Sequence, residues 1–328
     1  MQEHEYFVNL YQQSKNNAEF INYVESNTTQ IIRQDTSILK YDVVNQDIVI
    51  KTDFDELISK IKNNTLHTLR LGCVEASFYL MYKMGKRIPL DHLNYDGSID
   101  GKMQQNAGLY YKDESDKHKV IEWYCDNLSE LSKTATITSC ISGIKYDLFF
   151  YAYMNITNKT LHNWGLLPNV LITNLQGKKV LVVSNATDIL KKSYDRGLQN
   201  VYNIDICQFE KISYVKTPQT TKGSDYPHQN SIETTKHIFE QIEKQDYDIA
   251  LLACGVYGVP LTNLIHKKGK MAVYLGSALY PMFGVYSHGI PLPLKTIYPI
   301  YNTSNFIEVE EQCPEHCKHI DLGKYWKI

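Results

Sequence analysis

Apolar residues in this chain fall into two recurring patterns, short continuous runs and runs spaced three and four apart. Ile249-Ala250-Leu251-Leu252-Ala253 is a run of buried-strand length, broken by Gly255 and Gly258 with Pro260 beyond. Leu261, Leu264 and Ile265 follow at helical spacing, Gly269 stops that pattern after a lysine-rich turn, and Met271–Leu275 is a second strand ended by Gly276. A strand, a helix and a strand make a βαβ unit, so Gly255–Gly258 and Gly276 are expected at the carboxyl ends of two parallel strands, where such sheets bind ligands.

The same alternation recurs upstream. Val180-Leu181-Val182-Val183 is an apolar strand ending in Ser184-Asn185, with a helix expected over Thr187–Tyr194 and a stop at Gly197. Val201–Ile206 and Ile212–Val215 are further strand candidates. Residues 218–229 form a polar loop long enough to be a lid or binding loop, and Ser231 is the expected cap of a helix carrying Ile238, Phe239 and Ile242. Thr68-Leu69-Arg70-Leu71-Gly72-Cys73-Val74-Glu75 reads as strand, glycine turn and helix, with Phe78, Leu80, Met81 and Met84 on the helix. Val120–Leu131 is helical in pattern and Thr134–Thr138 is β-prone, whereas Asp147–Met154 is undecided between strand and helix. Residues 1–50 read as an N-terminal extension, with helical spacing at Tyr6–Tyr11 and Phe20–Val24 and short strands at Val43-Val44 and Ile48–Ile50. Asp53 is the expected cap of a helix carrying Phe54, Leu57, Ile58 and Ile61. The prediction is an α/β, Rossmann-like domain over residues 51–328, with a largely parallel sheet flanked by helices.

Composition narrows the function. With 34 Lys and Arg against 36 Asp and Glu, the chain has no basic field for nucleic acid. No apolar run reaches the roughly 18 residues of a membrane span. The N-terminus lacks a secretory pattern, and seven scattered cysteines fit reduced thiols, so a cytoplasmic setting is expected. The 25 tyrosines against 10 phenylalanines fit composition bias better than a dedicated stacking surface.

Three groups of residues carry candidate chemistry. Gly72 precedes a helix, so its junction with Arg70 places backbone N–H groups where an anion binds. Glu75 lies in the first turn, where a carboxylate either answers the helix dipole or acts in a site. The Gly255–Gly258 turn is neither GxGxxG nor a P-loop, which disfavours a NAD-dependent oxidoreductase. Cys313 and Cys317, with His316 and His319, form a CxxxC cluster without a second distant pair, and zinc is not expected there.

The runs GKKVLVVSNATDI (177–189), SIETTK (231–236) and the stretch from Tyr247 to Val285 resemble the GT-D glycosyltransferase family. Arg70–Glu75 sits where that family carries RFGDGE, and Asn106-Ala107-Gly108 and Tyr325-Trp326 are also similar to family features. The resemblance spans roughly residues 65–328, is strongest over 177–284, and implies sugar transfer from a nucleotide-sugar, UDP-sugar by preference, to a glycan or glycoconjugate acceptor. It implies Glu75 as the catalytic residue and as a ligand of a Mn or Mg ion on the donor diphosphate. Cys73 stands in the position of the first acid of that pair, and a neutral thiol is a poor ligand for a hard cation. A catalytically inactive nucleotide- or sugar-binding protein on the same fold is the alternative. The implied donor-binding residues are Arg70, Gly72, Asn106, Ser184, Asn185, Gly255, Tyr257, Gly258 and Gly276. Each has a plainer role: a strand-end ion pair for Arg70, a packed ring for Tyr257, a helix cap for Ser184 and Asn185.

Overall fold

The run at 249–253 is buried along its whole length, and the sheet extends to both sides of it. The computed structural model describes residues 28–35, 38–43, 46–51, 55–70, 72–84, 99–139, 161–163, 167–287 and 300–310. Its strands are β1 (Thr28–Asp35), β2 (Ile38–Val43), β3 (Gln46–Lys51), β4 (His67–Arg70), β5 (Thr136–Ser139), β6 (Leu161–Asn163), β7 (Lys179–Ser184), β8 (Lys211–Lys216), β9 (Ile249–Ala253), β10 (Met271–Tyr274), β11 (Val285–Tyr286) and β12 (Ile307–Glu308). Its helices are α1 (Asp55–Lys62), α2 (Cys73–Met84), α3 (Ile99–Lys102), α4 (Lys117–Thr134), α5 (Leu167–Asn174), α6 (Thr187–Asp195), α7 (Ser231–Glu243), α8 (Gly258–Lys267) and α9 (Leu279–Met282).

One sheet runs β1-β2-β3-β6-β5-β4-β10-β9-β7-β8. The six strands β5-β4-β10-β9-β7-β8 are all parallel. β6 and β3 continue the parallel order, and β1 and β2 form an antiparallel meander with β3 at the far edge. β11 and β12 pair separately. The fold is thus the expected α/β type, with parallel strands and flanking helices.

Because successive side chains in a strand point to opposite faces, each central strand feeds two cores. Leu181, Val183, Ala250, Leu252, Ala272 and Tyr274 face one core with α4, α7 and α8. Val180, Val182, Ile249, Leu251, Met271 and Val273 face the other with α1, α5, α6 and α9. Fully burying one such Val, Leu or Ile side chain contributes about 1.5–3 kcal/mol. This two-sided burial explains why the strands read as continuous apolar runs.

The order also places a reversal. The chain leaves β7 for β8 on one side and leaves β9 for β10 on the other, with α6 and α8 on opposite faces. A crevice therefore opens beyond the carboxyl ends of β7 and β9, the usual ligand position in open α/β sheets.

Two local expectations are corrected. Val201–Ile206 is not a strand: Leu198–Val201 is a 3-10 turn, and Tyr202 makes one bridge to Tyr301. Leu198, Val201 and Tyr202 face the core, whereas the polar Asn203 donates its N–H to Ile300 O at 2.6 Å and carries the chain off the sheet. The cap of α7 is Asn230, whose side chain accepts from Ile232 N and Glu233 N; Ser231 is the first helical residue. Ser231 Oγ is instead bonded to Tyr110, accepting its N–H at 2.8 Å. The expectations for Tyr6–Val24, Asp53, Asp147–Met154, the Cys313–His319 cluster and Tyr325-Trp326 lie outside the described residues.

Candidate functional site

Every described strand-end residue singled out from the sequence lies at the carboxyl edge of the parallel sheet. Arg70 ends β4, Ser184 ends β7 with Asn185 next, Gly255 follows β9, and Gly276 follows β10. This placement follows from parallel pairing, because equivalent ends of parallel strands share one edge.

The β4–α2 junction is the first part. Gly72 O accepts the Ala76 N–H at 3.0 Å, so Gly72 caps α2. The Glu75 carboxylate turns back over this end of the helix, where a Cβ on Gly72 would overlap Glu75 Oε2. Only glycine at 72 leaves room for that posture. Arg70 is half-buried, and its guanidinium runs beneath the β10 turn, where a Cβ on Gly276 would lie 2.6 Å from Nη1.

The β9 turn is the second part. Gly255 has φ 55°, a left-handed conformation that L side chains resist, and a Cβ there would lie 2.6 Å from Ala107 O. Ala107 belongs to a π-helical turn, Met103–Ala107, which also carries Asn106. The side-chain oxygens of Asn106 and Gln105 are buried without a hydrogen-bond partner among the described residues. Buried acceptors in that state are where a ligand or solvent donor belongs, and π-turns are frequent at functional sites.

The third part is the polar loop between β8 and α7, which crosses the crevice as a strap. Thr217 N donates to Ser184 O at 3.0 Å, and Asn185 Nδ2 donates to Gln219 Oε1 at 2.8 Å. Thr220 Oγ1 donates to Gly108 O at 2.9 Å and pairs with Tyr257 Oη at 2.6 Å. Lys222 N reaches Gln104 O at 3.0 Å, and the Tyr226 ring stacks on Tyr110 at 4.2 Å. Thr217 Oγ1 is buried beside Ser184 without a hydrogen-bond partner among the described residues.

Three of the named residues sit deeper than a ligand contact needs. Ser184 is fully buried, and its hydroxyl accepts the Ala186 N–H at 3.2 Å. Tyr257 is 2% exposed, packed in the core beneath Thr220. Gly258 opens α8 against the Tyr274 ring, which a Cβ would overlap. Their side chains, or the lack of one, are buried, whereas Asn185 is partly exposed and Gly255 is exposed.

Sequence reasoning passed over Gln219, Thr220 and Tyr274. The strap was visible as a long polar loop, but nothing in its composition distinguished Thr220. Tyr274 looked like one more core position of β10. It is 3% exposed and donates from Oη to Gly255 O at 3.0 Å. Burial pushes the Tyr274 hydroxyl well above the usual tyrosine pKa and the Glu75 charge adds to this, while Arg70 opposes it. Burial likewise raises Tyr257 and the Cys254 thiol, so the groups lining this edge from below are neutral.

Among the described residues no three His, Cys, Asp or Glu side chains gather to hold a metal ion. Glu75 offers one carboxylate at the junction, which is short of the oxygen set a hard divalent cation takes. Among the described residues, this junction alone does not make up a protein-built metal centre.

No helix among the described residues is long and apolar enough to cross a membrane. No curated protein matches the chain. Among solved structures, the selenomethionine-substituted structure of domain of unknown function 1792 is similar, with 15% sequence identity and a TM-score of 0.40, over 68% of this chain and 76% of that chain. The model of the GT-D fold-like domain matches residues 134–282, which takes in β7, β9, β10 and the strap and begins beyond the Arg70–Glu75 junction. The parallel sheet, its carboxyl-edge crevice and that match agree: the chain carries a GT-D fold-like domain over residues 134–282.

Proposed function

We propose that the chain is a glycosyltransferase that moves a sugar from a nucleotide-diphosphate donor, UDP-sugar by preference, to a glycan or glycoconjugate acceptor. The observation that carries this reading is the arrival of Arg70, Glu75, Gly255 and Gly276 at one sheet edge, beside buried acceptors on Asn106 and Gln105. The match to the GT-D fold-like domain over residues 134–282 supports the reaction class.

Sugar transfer needs a group that removes a proton or stabilises charge near the anomeric carbon, and donors that neutralise the departing diphosphate. Glu75 supplies the first, once its carboxylate swings off Gly72 toward the acceptor. Arg70 supplies part of the second through a planar fork that matches phosphate oxygens. Backbone N–H groups at the Gly255 and Gly276 turns and at the start of α2 supply the rest. In this reading Asn106 and Asn185 bond donor hydroxyls, and the strap keeps water from the crevice. A cytoplasmic setting fits Cys125, Cys207 and Cys254, none of which is in a disulfide.

A second reading has its own observation. Cys73 opens α2 where the resemblance calls for an acid, and a binding protein on this fold needs no such acid. One experiment separates the two: release of nucleoside diphosphate from a panel of nucleotide-sugars, with and without Mn²⁺, in wild type and Glu75→Gln. Wild type releases UDP, and Glu75→Gln loses about 10²–10⁴ of kcat with an unchanged melting point. Wild-type turnover in the variant removes Glu75 from the chemistry. UDP binding without transfer across a broad acceptor panel selects the binding protein, and tight NAD binding removes both readings.

A further inference from the structure

We propose that the carboxamide oxygens of Gln105 and Asn106 form an acceptor pair that reads hydroxyl groups of the bound ligand, and so selects a fully hydroxylated sugar over a deoxy sugar. The inference rests on the donor reading above for its ligand, and on hydrogen bonding and burial for the pair.

The π-helical turn Met103–Ala107 packs against α2 and against the Gly255 turn. Its closest approach is at Ala107 O, which would lie 2.6 Å from a Cβ on Gly255. The strap takes up main-chain acceptors on both sides of the pair. Lys222 N donates to Gln104 O at 3.0 Å, and Thr220 Oγ1 donates to Gly108 O at 2.9 Å. Thr220 Oγ1 in turn accepts from Tyr257 Oη at 2.6 Å, which fastens the strap to the residue before α8. The Gln104 side chain is also engaged, donating from Nε2 to Tyr111 Oη at 3.1 Å. The next two side chains differ. Gln105 and Asn106 are partly exposed, yet Oε1 of the first and Oδ1 of the second are buried without a hydrogen-bond partner among the described residues. Positions 104 and 108 are tied down, and the two oxygens between them are left over.

Their chemistry names what they take. A carboxamide oxygen only accepts, so the missing partner is a donor. A cationic donor is disfavoured, because Lys102, 5% exposed, immediately precedes the turn. A nucleotide-sugar offers neutral donors as hydroxyls, on its ribose and on the transferred sugar. An unpaired buried oxygen costs the ligand-free protein its desolvation, and a ligand hydroxyl returns that cost. A deoxy sugar leaves the oxygen unpaired, so discrimination against it follows from the same cost.

The test is Gln105→Met and Asn106→Leu, which keep the size of each side chain and remove the oxygen. Each variant is expected to melt at the wild-type temperature or up to about 2 °C above it, since an unpaired buried oxygen is gone. UDP-glucose binding by calorimetry is expected to weaken about tenfold in each. UDP alone locates the hydroxyl: an unchanged UDP affinity puts the pair on the transferred sugar, and an equal loss puts it on the ribose. Among UDP-glucose analogues that each lack one hydroxyl, wild type is expected to bind at least one about tenfold more weakly, and the variants to lose that preference. Unchanged UDP-glucose affinity in either variant, or a preference that survives in both, overturns the pair. So does a melting point several degrees below wild type, which means that the oxygen is paired in the folded protein. Free glucose, followed by saturation-transfer NMR, separates this outcome from failure of the donor reading. Glucose binding that the variants weaken, in a protein that binds no UDP, keeps the pair and removes the donor reading. A wild type that binds neither glucose nor UDP removes both.

Discussion

At the amino edge of the sheet, Asp248 Oδ2 accepts from Lys179 N at 2.8 Å, and Asp248 N donates to Lys179 O at 2.8 Å. Lys179 pairs with Asp246 at 2.8 Å, and Lys270 Nζ caps Tyr247 O at 2.8 Å. At the carboxyl edge the same strands, β7, β9 and β10, end in Ser184-Asn185, Gly255 and Gly276, with both glycines at positive φ. The first edge closes its strand ends with side chains from the segments that lead into the neighbouring strands. The second leaves main chain facing a crevice and sets buried tyrosines behind it. Side-chain pairing of that kind stabilises a fold and leaves nothing to bind with. Turns that depend on glycine and on distant partners give up some stability and keep donors and acceptors for a ligand.

The contrast is breakable by substitution. Gly255→Ala is expected to have the largest effect on stability, about 2–3 kcal/mol, since it forces an L residue into a left-handed conformation and against Ala107 O. Urea unfolding measures it, and UDP affinity falls with it because the π-turn must shift. A neutral Gly255→Ala shows that the turn is not held by that contact. Asp248→Ala at the opposite edge is expected to cost about 1–2 kcal/mol through the Lys179 N–H it leaves without its acceptor. UDP affinity there stays at the wild-type value, and a loss of binding erases the distinction between the edges.

The smallest effect is a pH dependence at the amino end of β4. His67 is buried and stacks on His266 with ring centroids 3.6 Å apart. Burial holds its pKa below 6.5, while the Thr65 carbonyl opposes the shift and the His266 and Lys60 charges add to it. As pH falls below 6.5, the unfolded chain takes up a proton that folded His67 does not, so stability declines through that window and levels off below the folded pKa. His67→Phe keeps the stack and removes this share of the slope. Unfolding free energies of the two proteins at pH 7.5 and 5.5 measure it, and equal slopes discard the assignment.

The glycine wall was readable because its signals are local. Gly255 and Gly276 each end an apolar run, and a chain must turn where a buried strand stops. The Arg70–Glu75 junction was readable for the same reason, as a strand, a glycine and a helix within a few residues. Tyr274 and Thr220 were not. Tyr274 bonds Gly255 across 19 residues and Thr68 across 206, and Thr220 bonds Gly108 across 112. The Val201–Ile206 error has a similar origin: the apolar residues are present, but the partner that stops a strand from forming is Ile300.

The sequence by itself determined that strands and helices alternate, that the central strands are buried on both faces, and where each strand stops, because those properties depend on residue type and short spacing. The tertiary structure alone decided the strand order, hence the reversal between β7 and β9 that opens the crevice. It also decided which buried hydroxyls join one turn to another. Both depend on contacts between residues far apart in the chain, and such contacts leave no periodic trace in the order of amino acids.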